Sequence, residues 1–222
     1  MKKLLVFSLI ICFALITGCN KDDDKAEPEG IKYKVAFNLN WNSTDFPVSY
    51  PSNAHFSKLI GWSHDSSSTF FQVGTIASSG IEDMAETGGT SKLCDELNNR
   101  TSTSEGHHVV VGGGLGSGVG TINIEIIVDD DHPSVTLATM IAPSPDWYVA
   151  IVNVNLLNKD GFVLDTTVHA HAYDAGSDNG TEYTSSNEDT NPKQPITILT
   201  APPIGNGYDV EPVIGTVTFT RL

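Results

Sequence analysis

The sequence contains few cysteines, and this scarcity limits how the chain can be stabilised. Three cysteines, Cys12, Cys19 and Cys94, occur among its 222 residues. Cys12 and Cys19 lie in an N-terminal segment of targeting character, so Cys94 has no partner in the rest of the chain and an intrachain disulfide is excluded there. The folded domain must be held by its core. We expect Cys94 to be a buried structural thiol rather than a nucleophile.

Positive charge is scarce as well. The chain has 12 lysines and arginines against 27 aspartates and glutamates, which gives a formal net charge of -15 at pH 7. This balance argues against nucleic acid as a partner, because phosphate binding depends on Lys and Arg. It is compatible with the binding of cations.

Motifs of catalysis are also missing. No serine lies in a GxSxG motif, and the glycine-rich residues 112–120 lack both the lysine of a phosphate-binding loop and the GxGxxG spacing of a dinucleotide site. His169 and His171 share one face of a predicted strand. Exposed strand histidines are favoured there over metal ligands, because Zn²⁺ needs more ligands than this pair supplies. We therefore predict that the protein is not an enzyme.

The chain lacks an apolar run long enough to span a membrane. Its longest one, residues 4–16, follows two lysines and leads into Leu-Ile-Thr-Gly-Cys at residues 15–19. This ending resembles the lipobox of bacterial lipoproteins, which predicts a signal peptide over residues 1–18 and a lipid on Cys19. An ordinary secretory signal is the alternative.

Residues 19–30 are polar and charged, and they predict an acidic tether without a core of its own. The run Asp-Asp-Asp at residues 22–24 resembles a surface-export signal of some Gram-negative lineages, and it also suits a solvated spacer. We expect an outer membrane lipoprotein of the bacterial cell envelope. Whether it faces the periplasm or the cell surface stays open.

Apolar and polar residues alternate through much of the remaining chain. The pattern is regular at residues 31–41, 122–128, 135–141 and 213–222, which is typical of half-buried strands. About eight strands separated by turn residues predict one all-β domain over residues 31–222, an antiparallel β-sandwich. The only helical signals are short pieces in the loops between strands.

Residues 143–180 contain two apolar runs separated by Asn-Lys-Asp-Gly at residues 158–161, which predicts a β-hairpin. A three-residue loop is expected at the turn, and its register places Asp146 directly opposite Asp174, with Asp178 close behind. Like charges that face each other are destabilising. Oxygen ligands from loops suit Ca²⁺ better than a transition metal. A solvated acidic end of the hairpin is the alternative.

The length of the turn decides this register. A three-residue loop pairs Leu156 with Leu164 and gathers the apolar residues on one face. A two-residue loop sets Val154 against Asp165. We therefore expect the three-residue loop, since the hydrophobic pattern specifies the register of a half-buried strand.

Four short motifs resemble the spondin N-terminal domain family, of the F-spondin and mindin type. They are His-Phe-Ser at residues 55–57, Ala-Glu with a glycine at residues 85–88, Pro-Ser-Pro-Asp-Trp at residues 143–147, and Asp-Ala-Gly-Ser-Asp with a glycine at residues 174–180. The resemblance implies a β-sandwich similar to C2 domains, with a calcium ion held by Asp146, Asp174 and Asp178. It implies no catalytic activity. The sequence contains no thrombospondin repeats, so the matrix and integrin roles of the animal proteins do not transfer.

These observations predict a lipid-anchored, calcium-binding β-sandwich that binds or adheres to an extracellular protein or glycan. A glycan-binding module or glycan-active enzyme is an alternative, because Trp41, Trp62 and Trp147 are candidates for stacking on sugars. Hydrolysis by paired carboxylates is disfavoured, because facing residues lie only about 5 Å apart at Cβ. A structural envelope lipoprotein without a diffusible ligand is a further alternative.

Overall fold

A computed structural model describes residues 28–207 and 212–222. The predicted signal peptide, Cys19 and the tether up to residue 27 lie outside this part of the chain. None of the described helices is long and apolar enough to cross a membrane. In chain order the elements are β1 (Ile31–Asn40), β2 (His55–Phe56), β3 (Ile60–His64), α1 (Ser79–Thr87), α2 (Ser91–Ser102), β4 (Gly106–Val111), β5 (Val119–Val128), β6 (Ser134–Ala142), β7 (Trp147–Asn155), β8 (Leu157–Asn158), β9 (Gly161–Phe162), β10 (Asp165–Asp174), β11 (Thr197–Ile198) and β12 (Val213–Arg221).

The main strands form one continuous antiparallel sheet in the order β4-β3-β6-β7-β10-β12-β1-β5. β2 pairs with β6, β11 pairs with β10, and β8 and β9 form a small separate sheet. The two ends of the main sheet approach each other. The Ile127 N–H of β5 donates a hydrogen bond of 3.1 Å to His108 Nδ1 of β4, which shows this closeness. The sheet is therefore nearly barrel-shaped. The prediction of an all-β, antiparallel fold is confirmed at this level.

The alternation of β1 builds the inside of the sheet. Tyr33, Val35, Phe37 and Leu39 are all buried, whereas the residues between them are half-buried or exposed. Strands have a period of two, so these side chains share one face. Each such burial contributes about 1.5–3 kcal/mol, which makes the interior a main source of stability.

The two helices cover part of the outer face of the sheet. They bury a second apolar cluster against β3, β6 and β7, whose large members include Ile60, Trp62, Ile81, Met84, Leu93, Leu97 and Tyr148. The prediction of short helical pieces is confirmed. Cys94 of α2 is half-buried rather than buried, with its Sγ 3.4 Å from Asn98 Nδ2.

Helix α1 begins and ends at recognisable caps. The Ser78 hydroxyl accepts a hydrogen bond from the Ile81 N–H at 3.2 Å, which is a typical N-cap. Gly88 ends the helix with φ of 72°, and its N–H donates to the Met84 carbonyl at 3.1 Å. Glycine favours this left-handed conformation. The caps fix the two ends of α1, and the last turn of this helix carries Glu86.

The pairing at the acidic end of the hairpin differs from the prediction. β7 and β10 pair over a short stretch in which Asp174 lies opposite Trp147. The prediction that Asp146 lies directly opposite Asp174 is therefore wrong by one residue. Asp146 precedes β7, in the loop that follows the cis peptide bond between Ala142 and Pro143. Both aspartates still lie at the same end of the sheet.

The turn of the hairpin does not set this register. Asn158 pairs with Gly161, so the loop has two residues and the predicted three-residue loop is wrong. A two-residue loop would set Val154 against Asp165 only if β7 and β10 paired along their whole length. Instead the chain leaves that ladder, and the Leu156 N–H donates to the Pro133 carbonyl at 2.9 Å. Leu164, which we expected on the apolar face, is 66% exposed.

Candidate functional site

Asp146 is the most enclosed of the three predicted calcium ligands, with a relative exposure of 0%. Its Oδ2 accepts hydrogen bonds from the backbone N–H groups of Ser177 at 2.7 Å and Asp178 at 3.1 Å, and from the Ser177 hydroxyl at 3.2 Å. Its Oδ1 is buried and accepts no hydrogen bond from the described residues. A buried polar atom without a partner is costly. Oδ1 is thus an atom whose desolvation a bound cation would offset.

Asp174 is the last residue of β10 and is half-buried. Its Oδ2 accepts a hydrogen bond from the Trp147 indole N–H at 3.1 Å, and its Oδ1 accepts one from the Gly176 N–H at 2.8 Å. Gly176 has φ of 72°, and a Cβ at this position would lie 2.2 Å from the Gln194 carbonyl oxygen. The turn that presents Asp174 therefore requires glycine.

Asp178 connects two loops through hydrogen bonds. Its relative exposure is only 6%. Its Oδ1 accepts a hydrogen bond from the Gly180 N–H at 2.6 Å, and its Oδ2 accepts one from the Glu188 N–H at 2.8 Å. Its backbone also forms an isolated β-bridge with Asp189. The carboxylate thus joins its own turn to the polar segment of residues 182–190 through local side-chain hydrogen bonds.

Burial and mutual repulsion dominate the electrostatics of this site. Burial, followed by the charge of Asp174, raises the pKa of Asp146 to about 7. Burial also raises the pKa of Asp174, and the charge of Asp178 adds to that effect. No positively charged side chain of residues 28–207 or 212–222 forms an ion pair with any of the three. The ionised forms of Asp146 and Asp174 are therefore disfavoured without a cation.

The structure adds a fourth carboxylate, Glu86 from the last turn of α1. Burial raises its pKa, with further contributions from the charges of Glu82, Asp178 and Asp189, and a hydrogen bond with the Ser177 hydroxyl opposes the rise. In the sequence, Glu86 belongs to one of the motifs that resemble the spondin N-terminal domain, and no role was predicted for it. Its position on a helix far from the hairpin in sequence concealed its closeness to the aspartates.

The donor set fits calcium in chemistry. The oxygens of Asp146, Asp174 and Asp178 are not all within 4.8 Å of one another, so they do not form a complete cage in the structure. All three residues nevertheless lie in or next to loops and supply only oxygen. Ca²⁺ takes about 6–8 oxygen ligands in flexible geometry. The unpartnered Oδ1 of Asp146 is the specific feature that a hard cation would satisfy.

The remaining sequence-predicted residues lie elsewhere or are buried. Cys19 is outside the described residues. His169 and His171 have ring centroids 6.5 Å apart and belong to no group of three close metal-ligand atoms within the described chain. Trp41, Trp62 and Trp147 are 0%, 0% and 2% exposed. These tryptophans therefore offer no exposed platform for stacking on a sugar.

Comparisons with known proteins agree with the resemblance noted in the sequence. The family model described as Spondin_N matches residues 31–205. Human spondin-2 is 30% identical over 203 residues, which cover 86% of this chain and 61% of that protein. Rat spondin-1 is 32% identical over 178 residues, covering 77% of this chain and 22% of that protein. The chain thus spans about three fifths of the length of the spondin-2 it matches. By the extent of the family match, this chain belongs to the spondin N-terminal domain family.

Proposed function

We propose that this domain is a calcium-stabilised, non-catalytic binding module of the bacterial cell envelope. The observation that carries the proposal is the buried Asp146 carboxylate, whose Oδ1 has no hydrogen-bond partner among the described residues and whose neighbours are also acidic. Membership of the spondin N-terminal domain family supports the assignment. We also propose that the fold is a C2-like β-sandwich.

Asp146, Asp174 and Asp178 would hold the ion. Calcium supplies positive charge, which stabilises the ionised carboxylates of Asp146 and Asp174 that burial otherwise disfavours. The chain's own contribution is orientation, because Trp147 and the backbone N–H groups of Ser177 and Gly180 hold these carboxylates in place. Charge neutralisation would fix the loops around residues 143–146 and 175–180.

The rigid loops would then present a surface to an extracellular partner, a protein or a glycan. Lipid on Cys19 would anchor the domain to the outer membrane without a spanning helix. The acidic composition argues against nucleic acid as that partner. An enzymatic role is not favoured, because backbone N–H groups already donate hydrogen bonds to the carboxylates of Asp174 and Asp178.

Thermal unfolding with and without calcium tests the metal proposal. At about 100 times the dissociation constant, a ligand that binds only the folded state stabilises it by about 2.7 kcal/mol. For a domain of this size we expect the Tm to rise by about 5–11 °C. Asp174→Ala should lose most of that shift, whereas Asp165→Ala, at an exposed position of the same strand, should keep it. No calcium-dependent shift in the wild type would refute the metal proposal.

Partner capture from intact cells tests the binding role separately. The full-length protein is compared in calcium and in EDTA, and a glycan array is run under both conditions. A binding module should retain a reproducible protein or glycan partner in calcium. If neither assay yields a partner, the structural-lipoprotein alternative is favoured.

A further inference from the structure

Two histidines and an aspartate meet where the two ends of the sheet approach each other. His107 lies on β4, Asp129 follows β5, and His132 lies in the turn before β6. Within the described chain, these three residues form the group whose potential metal-ligand atoms all lie within 4.8 Å of one another. Neither their spacing in the sequence nor the family resemblance marked them as a site.

Both histidine rings point the same nitrogen at the same carboxylate. His107 Nδ1 lies 3.2 Å from Asp129 Oδ2, and His132 Nδ1 lies 2.8 Å from Asp129 Oδ1. The two rings are stacked, with centroids 5.8 Å apart and an interplanar angle of 11°. Their side chains are 19% and 13% exposed, and that of Asp129 is 32% exposed. The cluster is therefore sheltered but open to a small ion.

The opposite ring nitrogens also face acceptors. His107 Nε2 lies 2.7 Å from the Glu29 carbonyl oxygen, and His132 Nε2 lies 3.2 Å from the Ser104 carbonyl oxygen. A neutral imidazole carries a single N–H. When each Nε2–H donates to its carbonyl, each Nδ1 presents a lone pair toward the Asp129 carboxylate. A positive charge is then needed between them, either as two protons or as a metal ion.

Metal-bound histidines in proteins usually donate their second N–H to a carbonyl or carboxylate. Both rings here have that arrangement. Two imidazole nitrogens and one carboxylate suit Zn²⁺ and neighbouring transition metals, whereas Ca²⁺ prefers oxygen alone. We propose that His107, Asp129 and His132 bind a transition-metal ion of the Zn²⁺ class, with a fourth position left to water.

The ion would connect parts of the chain that are distant in sequence. β4 and β5 are the two ends of the main sheet, and the Glu29 carbonyl belongs to the segment that enters the domain from the tether. Metal binding at this position would therefore close the seam of the nearly barrel-shaped sheet. This site is separate from the acidic loops of the proposed calcium site, so the failure of one proposal would not refute the other.

Zinc titration of the full-length protein tests the proposal. Free thiols, including that of Cys94, are alkylated first so that they do not bind zinc, and excess calcium is present to occupy sites for hard cations. We expect one Zn²⁺ bound per chain by calorimetry and a zinc-dependent rise in Tm. X-ray absorption should show imidazole and oxygen donors at about 2.0–2.1 Å.

Matched variants locate the ion. Asp129→Asn and His132→Gln should each weaken zinc binding by at least about tenfold, since removal of even a supporting partner of a metal site costs about 10–100-fold in affinity. The double variant His169→Ala/His171→Ala controls for zinc bound by the other histidine pair and should bind normally. Imidazole ¹⁵N resonances of the wild type give a readout that does not depend on variant folding, and those of His107 and His132 should shift with zinc. The proposal is overturned by absence of zinc binding in the wild type, or by binding that survives in Asp129→Asn.

Discussion

Replacing Asp146 by asparagine is expected to stabilise the metal-free protein at neutral pH, although it removes a proposed metal ligand. Asparagine keeps the shape of the side chain and an oxygen for the N–H groups of Ser177 and Asp178. It cannot ionise, so it avoids the cost of a buried charge. The substitution thus separates the electrostatic penalty at this position from its packing.

The magnitude follows from the pKa of Asp146, which burial and the charge of Asp174 raise from 3.8 to about 7. At about 1.4 kcal/mol per pKa unit, this rise corresponds to roughly 4 kcal/mol. Between the two pKa values the folded protein keeps a proton that the unfolded chain has released. The free energy of unfolding therefore falls as the pH rises through this window. In EDTA at about pH 8, we expect Asp146→Asn to be about 2–4 kcal/mol more stable than the wild type.

Urea unfolding followed by tryptophan fluorescence measures this difference, because the three tryptophans are buried. The measurement is repeated from about pH 4 to about pH 8, with Asp165→Asn as an exposed control that should remain within about 0.5 kcal/mol of the wild type. Calcium should stabilise the wild type and have little effect on Asp146→Asn. A metal-free wild type that is as stable as Asp146→Asn at the upper pH would refute the reasoning.

Three further substitutions test neighbouring features. Gly176→Ala should destabilise the protein by more than about 1 kcal/mol in urea unfolding, because φ is 72° and the new Cβ would lie 2.2 Å from the Gln194 carbonyl oxygen; unchanged stability would contradict this turn geometry. Glu86→Gln should weaken calcium binding about tenfold by calorimetry, since one negative charge near the proposed ion contributes about 1.4 kcal/mol to the binding free energy. Equal calcium affinity of Glu86→Gln and the wild type would exclude an electrostatic role of Glu86. Hydrogen bonds from Ser67 and Ser68 lower the pKa of Asp65 to about 2, so Ser67→Ala should raise it in an NMR titration, whereas an unchanged value would show that the Ser67 hydroxyl does not stabilise the carboxylate.

Local patterns in the sequence were sufficient to predict the strands and the acidic end of the sheet. The alternation of residues 31–41 reflects the period of a strand with one buried face, and β1 occupies Ile31–Asn40. The sequence around Asp146, Asp174 and Asp178 predicted that these residues lie at one end of a hairpin, and the structure places them there. A shift of one residue in the register did not move them apart, because the loops on both sides converge at that end.

What the sequence by itself determined is the strand content, the family and the acidic loops, since each depends on residues near one another in the chain. Tertiary structure alone decided the register of β7 and β10. The ladder between them does not continue to the turn, because the Leu156 N–H donates a hydrogen bond to the Pro133 carbonyl instead. Tertiary structure alone brought Glu86 of α1 beside the acidic loops. It also alone joined His107 to Asp129 and His132, because those residues meet only when the far ends of a long sheet curve toward each other. Pairings between distant segments depend on the global path of the sheet, which no local pattern encodes.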